Sequence, residues 1–222
     1  MAATPLPLGN VTRFGVLGGS FNPVHVGHIS IAQQILNALK LEKVFLLPAQ
    51  QNPHKAGDAE LAPPPDRLEM CRLAVRSMKG LEVSDLELQR PGPSFTVETA
   101  RTLREAYGPE AQIYFLIGSD SLSDLPKWKD VHELLKLADF AIADRREAPL
   151  GEEAWNEIRA QLGAGHEKKL RAGVVKLERV DVSATEIRKL LRGGEKIPGY
   201  LRRDVEAYIR KQGLYGAKKN NA

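Results

Sequence analysis

One cysteine, Cys71, is all the thiol chemistry this 222-residue chain owns. A single thiol excludes an intrachain disulfide framework and a cysteine-based zinc cluster, and a reducing compartment suits it best. Long apolar runs are missing too. No stretch approaches the roughly 18–20 consecutive apolar residues of a membrane helix, so no membrane partner is expected. The opening decapeptide, MAATPLPLGN, places no basic segment ahead of an apolar one. That argues against a secretory leader and for a cytoplasmic protein. Charge of one sign is also scarce: 32 Lys and Arg stand against 28 Asp and Glu, a net charge of +4. So small an excess suits a polyphosphate and a nucleic acid equally. Acidic residues interrupt the basic ones almost everywhere, whereas a nucleic-acid surface needs clustered Lys and Arg with interleaved aromatics, so no nucleic-acid partner is expected.

What is present is alternation. Residues 13–17 are a short apolar run ending in Gly18-Gly19, which reads as a buried strand and a turn. Val26 to Lys40 takes up a helical period, with Ile31, Ile35, Leu36 and Leu39 on one face. Residues 43–49 return to a continuous apolar run. Strand, helix and strand within about 35 residues define a βαβ unit. Residues 50–65 hold three consecutive prolines and read as a long loop. Helices are predicted over 66–78, 94–107, 130–137, 155–162, 184–192 and 201–212. Strands are predicted over 81–85, 113–118, 139–144 and 174–180, the last an edge. Segments 146–153 and 163–173 read as loops. The pattern calls for an α/β fold with a doubly wound, mostly parallel sheet and C-terminal helices. Ligands bind such sheets beyond the carboxyl ends of the strands, which directs attention to 18–28, 48–55, 118–128, 144–147 and 181–188.

The first of these segments is Gly18-Gly19-Ser20-Phe21-Asn22-Pro23-Val24-His25-Val26-Gly27-His28. Glycines let a phosphate approach the backbone, and the helix that follows offers N–H groups and a partial positive charge to an anion. His25 and His28, three apart, place their Cβ atoms about 5–6 Å from each other. Their ring N–H donors suit a phosphoryl group gaining negative charge. Gly27 between them leaves room for a base or ribose. A glycine turn with two capping histidines would be the bland alternative. The last of the segments is Val182-Ser183-Ala184-Thr185-Glu186-Ile187-Arg188. Ser183 and Glu186 have capping-box spacing, so a helix starts here. Its first N–H groups, the hydroxyls of Ser183 and Thr185 and the Arg188 fork suit a polyphosphate; a merely well-capped helix is the competing explanation.

The first segment resembles the nucleotidyltransferase signature GG(S/T)FDPxHxGH, with Asn22 in place of aspartate. The second resembles the ISSTxIR signature of the same superfamily, with Ala184 in place of serine. From Phe14 to Tyr215 the chain resembles the bacterial nicotinate-nucleotide adenylyltransferases. Asn52-Pro53-His54-Lys55 is similar to that family's PHK loop, which meets the mononucleotide phosphate. Ser94-Phe95-Thr96 is similar to its SYT helix start, which holds the nicotinate, with Phe95 for tyrosine; an ordinary N-cap at Ser94 is the plainer account. Gly118 to Asp120, with Leu122, Leu125 and Trp128, resembles GxDxLxxLxxW. Asp120 would accept from ribose hydroxyls and Trp128 would stack on the pyridine ring, unless they serve as a helix cap and a core residue. Asp144-Arg145-Arg146 stands where the family has an RPG turn, and Arg145 would orient the adenylate.

The resemblance implies one nucleotidyltransferase domain over 1–222, with a core near 13–180 and a helical part near 181–215. It implies ATP and nicotinate mononucleotide as substrates and nicotinate adenine dinucleotide and pyrophosphate as products. His25, His28 and Arg188 would be catalytic. Gly18, Gly19, Ser20, Phe21, Gly27, Gly118, Asp120, Arg145, Ser183 and Thr185 would join them around ATP. His54, Lys55, Ser94, Phe95, Thr96 and Trp128 would hold the mononucleotide. Mg²⁺ would arrive bound to ATP phosphates, with no metal ligand from the protein. Homo-oligomerisation is left open. Phosphopantetheine adenylyltransferases and cytidylyltransferases share HxGH, but neither explains the Thr96 and Trp128 segments. A class I aminoacyl-tRNA synthetase would need a KMSKS-like loop and a tRNA-binding domain, and neither is visible.

Overall fold

The computed structural model describes residues 11–53, 60–144 and 150–218. Six strands, β1 (Arg13–Gly19), β2 (Lys43–Pro48), β3 (Leu81–Val83), β4 (Gln112–Gly118), β5 (Asp139–Asp144) and β6 (Val174–Lys176), form one sheet. The order is β3-β2-β1-β4-β5-β6 and every pairing is parallel. The chain runs outward from β1 to β3, then returns to β4 on the other side of β1. The crevice between the carboxyl ends of β1 and β4 is therefore the topological switch point.

Among the described residues eight α-helices cover the sheet: α1 (Val26–Ala38), α2 (Pro64–Val75), α3 (Thr96–Tyr107), α4 (Val131–Leu137), α5 (Glu152–Leu162), α6 (Ala164–Ala172), α7 (Ala184–Gly193) and α8 (Arg203–Gln212). The strands read as continuous apolar runs because both faces are buried. Val44 and Leu46 of β2 join a core with Ile29, Ala32 and Ile35 of α1, Met70 and Ala74 of α2, Ile187 of α7 and Ile209 of α8. Phe45 and Leu47 of the same strand point the other way, into a core with Val97 and Leu103 of α3, Leu134 of α4, Trp155 of α5 and Leu170 of α6.

Two loops expected from the sequence need correction. Residues 164–172 form α6, not a loop. Its signal is weak because Leu170 is its only buried large apolar residue. Ion pairs do the rest: buried Glu167 meets Arg171 at 2.7 Å and Arg159 at 3.2 Å. Glu152 and Glu153, also read as loop, open α5 and place carboxylates in its first turn, where the helix dipole favours them. Helix α2 begins two residues earlier than expected, at Pro64, since a proline in the first turn forfeits no helical hydrogen bond. β6 ends at Lys176, four residues short of the expected 180. The chain leaves the sheet there because Gln34 of α1 captures it. Gln34 Oε1 accepts from the Glu178 N–H at 2.8 Å, and its Nε2 donates to the Glu178 carbonyl at 3.2 Å. That departure carries the chain across α1 to the start of α7.

Candidate active site

The turn after β1 is held from below. Phe21 is buried at a φ of +46°. Its ring meets His28 edge-on, with centroids 5.0 Å apart, and fills the space beside Gly19. Beside Gly18 the space is open, with nothing within 4 Å of where a Cβ would stand. The peptide between Asn22 and Pro23 is cis. Asn22 is buried and fully engaged: its Nδ2 donates to the Glu60 carbonyl at 3.1 Å and its Oδ1 accepts from the Ala62 N–H at 3.0 Å. The aspartate of the family signature would accept from Ala62 but has no donor for Glu60. An amide fits this chain's own loop.

His25 is the N-cap of α1 and His28 its third residue. The rings stack, with centroids 3.7 Å apart and an interplanar angle of 27°. The His25 backbone N–H donates to His28 Nδ1 at 3.2 Å. With Nδ1 accepting, the proton of a neutral His28 ring sits on Nε2, the outer nitrogen. Gly27 also stands where the packing is tight. A Cβ there would stand 2.9 Å from Val182 Cγ1 and 3.1 Å from the His25 ring. The glycine lets the two distant motifs touch.

Arg188 makes the second contact between them. Its Nη1 donates to the Asn22 carbonyl at 2.8 Å, and its Nε to Glu60 Oε2 at 3.0 Å. Arg192, one turn later on α7, also grips Glu60. The two guanidinium groups hold the Glu60 carboxyl below the usual carboxylate range. Ser183 caps α7 as its spacing predicts, its Oγ accepting from the Glu186 N–H at 3.1 Å. Thr185 is exposed.

Two residues the sequence reading passed over belong here. One is Glu60. The other is Arg67, wholly buried at 0% exposure in the first turn of α2. It donates from Nε to the Ala62 carbonyl at 2.9 Å, from Nη1 to Ser20 at 3.0 Å and from Nη2 to Gln50 at 3.4 Å. A signal for it existed: Arg67 sits on the same stripe as Met70, Cys71 and Ala74, where helical period calls for an apolar side chain.

The mononucleotide segments lie on neighbouring ground. Ser94 is not an N-cap, because α3 starts at Thr96 and Phe95 takes that position. The Ser94 hydroxyl accepts from the Gln50 N–H at 2.9 Å, and its N–H donates to the Gln51 carbonyl at 2.8 Å, tying this strand-like stretch to the end of β2. Phe95 has no acceptor to offer the first N–H groups of α3, so no side chain caps that helix. Lys129 stands 4.4 Å from the centre of the Phe95 ring and pairs with Glu98 at 2.7 Å. Trp128 is half-buried, its ring against Phe140 with centroids 6.3 Å apart. Asp120 lies exposed in the 3₁₀ turn Ser119–Ser121 directly after Gly118. It lines a cleft of about 260 Å³ with Ser119, Leu122, Pro126, Leu150 and Ile158, which none of the histidine-motif residues enters. His54, Lys55 and Arg145 lie outside the described residues.

A parallel sheet with a glycine turn and paired imidazoles at its switch point is the architecture of nucleotidyltransferases, and a family model for cytidylyltransferase-like proteins matches residues 16–190. Within that class the relatives are specific. The chain is 38% identical over 205 residues to the probable nicotinate-nucleotide adenylyltransferase of Synechococcus sp. (strain JA-3-3Ab), covering 91% of this chain and 94% of that one. It is 37% identical to the probable nicotinate-nucleotide adenylyltransferase of Chromobacterium violaceum, covering 91% of this chain and 98% of the relative. The chain belongs to the nicotinate-nucleotide adenylyltransferase family. Its fold matches that of Plasmodium falciparum nicotinic acid mononucleotide adenylyltransferase complexed with NaAD, with a TM-score of 0.73 at 20% identity over 93% of this chain and 98% of the other.

Proposed function

We propose that the protein transfers the adenylyl group of ATP to nicotinate mononucleotide, giving nicotinate adenine dinucleotide and pyrophosphate. One observation carries this reading beyond family membership: Val182 against Gly27 and Arg188 on the Asn22 carbonyl bring two segments about 160 residues apart into one cradle around paired imidazoles.

A phosphate oxygen of the mononucleotide attacks the α-phosphorus of ATP in line. The new bond joins the two phosphates, the bond from the α-phosphorus to the bridging oxygen breaks, and its electron pair leaves with pyrophosphate. The attacking monoester is already an anion near neutral pH, so no general base is needed, and catalysis consists of positioning and charge stabilisation. His28 donates from Nε2 and His25 from the stacked ring beside it, to α- and β-phosphate oxygens. Ser183, Thr185, the first N–H groups of α7 and Arg188 hold the β- and γ-phosphates. Arg188 keeps donors for this while holding Asn22 and Glu60, because a guanidinium carries five N–H bonds. Gly18, Gly19, Ser20 and Phe21 supply backbone to the triphosphate, and Gly118, Asp120 and Arg145 receive the adenosine side. His54 and Lys55 steady the attacking phosphate. Ser94, Phe95 and Thr96 present the open start of α3 to the nicotinate carboxylate, and Trp128 offers its exposed face to the pyridine ring. ATP enters as its magnesium complex, the metal held by phosphate oxygens and water.

The test is an incubation with ATP and Mg²⁺ and, separately, nicotinate and nicotinamide mononucleotide, with released pyrophosphate quantified. Pyrophosphate release dependent on nicotinate mononucleotide is the expected result. No release with either mononucleotide overturns the assignment.

A further inference from the structure

A fully buried arginine has to be explained by what it faces. Arg67 has the largest fully buried side chain among the described residues. Removing a cation from water costs several kcal/mol unless its donors are met and its charge balanced. Three carbonyls meet its donors: Ala62 before α2, Gln50 after β2 and Ser20 in the turn after β1. They do not balance its charge. Among the described residues no carboxylate pairs with Arg67. The titratable groups that face it are Tyr215 and Cys71, whose own ionisation burial suppresses. Burial pulls the Arg67 guanidinium below its ordinary value, and Tyr215 and Cys71 oppose that only in part.

The Ser20–Phe21 peptide, whose carbonyl meets this cation, belongs to the same turn as Gly18, beside which the space is open. The peptide is trans, so its C=O and N–H point in opposite directions. With the carbonyl on Arg67, the Phe21 N–H points away from that cation. No backbone carbonyl among the described residues accepts that N–H. Arg67 thus fixes a donor on the opposite side of the peptide while contributing positive potential to the same turn. We propose that Arg67 is a positioning residue for the triphosphate, acting through the Ser20–Phe21 peptide, and that the phosphate anion supplies a counter-charge that no carboxylate among the described residues supplies. Tyr215, in the 3₁₀ turn Leu214–Gly216 that follows α8, faces both Arg67 and Arg188. The inference rests on the adenylyl-transfer reading of the site.

Two measurements test it. Arg67→Lys keeps the charge and nearly the length but loses the planar fork that reaches three carbonyls at once. Per folded molecule, its kcat should fall about 10- to 100-fold, as small misplacements of reacting groups do, while KM for nicotinate mononucleotide stays within about twofold of wild type. A folded Arg67→Lys variant with wild-type kcat overturns the proposal. So does one whose mononucleotide KM rises as much as its kcat falls, because that is a general loosening of the fold. The second measurement uses the wild-type protein and decides the matter if the variant does not fold. The Arg67 Nε–H resonance should shift when the protein is saturated with the α,β-methylene analogue of ATP. Saturable binding with that resonance unmoved overturns this inference alone, whereas failure of the analogue to bind wild-type protein overturns the adenylyl-transfer reading beneath it.

Discussion

On the β1–β2 flank of the sheet's carboxyl edge, Asn22, Arg67, Arg188 and His28 all have protein partners. Asn22 is pinned to residues 60 and 62, Arg67 to three carbonyls, Arg188 to Asn22 and Glu60, and His28 to the His25 backbone. On the open flank, where the mononucleotide is proposed to sit, Thr96 opens α3 half-exposed with no side-chain cap on that helix, and Trp128 is half-buried with its ring against Phe140. The contrast matches what each flank would do in the proposed reaction. In-line transfer needs the α-phosphorus and its leaving group held in a geometry set before the reaction, and pre-organised dipoles cost nothing to reorganise. Recognition of a mononucleotide can instead be completed by the ligand, whose ring and carboxylate supply the missing partners.

Breaking the ordered flank should therefore reduce turnover or stability, and breaking the open flank should reduce only affinity for the mononucleotide. The largest effect belongs to His28→Ala. Loss of one donor aimed at developing charge costs about 10²- to 10³-fold in kcat, measured as steady-state pyrophosphate release at saturating substrates. A variant with wild-type turnover would remove His28 from the mechanism and leave the ordered flank a purely structural feature. Next is Gly27→Ala, whose new methyl would stand 2.9 Å from Val182 Cγ1. Overpacking of this kind costs about 1–3 kcal/mol, read from denaturant unfolding. Adding Val182→Ala should recover most of it, and a double variant no more stable than the single would show that the two motifs do not press on each other there.

Trp128→Phe tests the open flank. It keeps a ring but shortens the stacking face, so KM for the mononucleotide should rise several-fold, by analogy with the roughly 1 kcal/mol of an aromatic pair, with KM for ATP unchanged. An equal rise in both would dissolve the division between flanks. The smallest effect concerns Glu60. Its carboxyl is held below its ordinary value of 4.5 by Arg188 and Arg192. A depressed carboxylate contributes stability above its unfolded value and loses it as pH falls through the folded one. Wild type should therefore exceed Glu60→Gln in thermal midpoint at neutral pH, and the gap should close below about pH 4.5. A gap that persists unchanged into acid would mean the carboxylate charge contributes nothing.

The elements themselves were largely legible before any coordinates. Strands β1, β2, β4 and β5 announce themselves as continuous apolar runs, and α1 and α3 as periodic stretches, because burial on two faces or one leaves that imprint locally. Helix α6 left none, since Glu167 is buried by ion pairs to Arg159 and Arg171, and an ion pair has no hydrophobic period. Within the site, His25 and His28 were legible because three residues of one helix start bring them together. Arg67 and Glu60 were not, because their partners lie far along the chain. Arg67 reaches back 47 residues to Ser20, and Glu60 reaches forward 128 to Arg188.

The amino-acid order alone determined the alternating α/β architecture, the glycine turn, the paired histidines and the Ser183 cap, all of which arise from contacts within a turn or two of chain. Tertiary structure alone decided that Gly27 packs against Val182, that Asn22 serves a loop 38 residues away and that an arginine lies fully buried against Ser20. The first depends on where the chain leaves β6 and crosses α1, the other two on how residues 60–67 return to the turn after β1. A hydrogen bond or a clash records no trace in the local sequence when the group that makes it arrives from another strand.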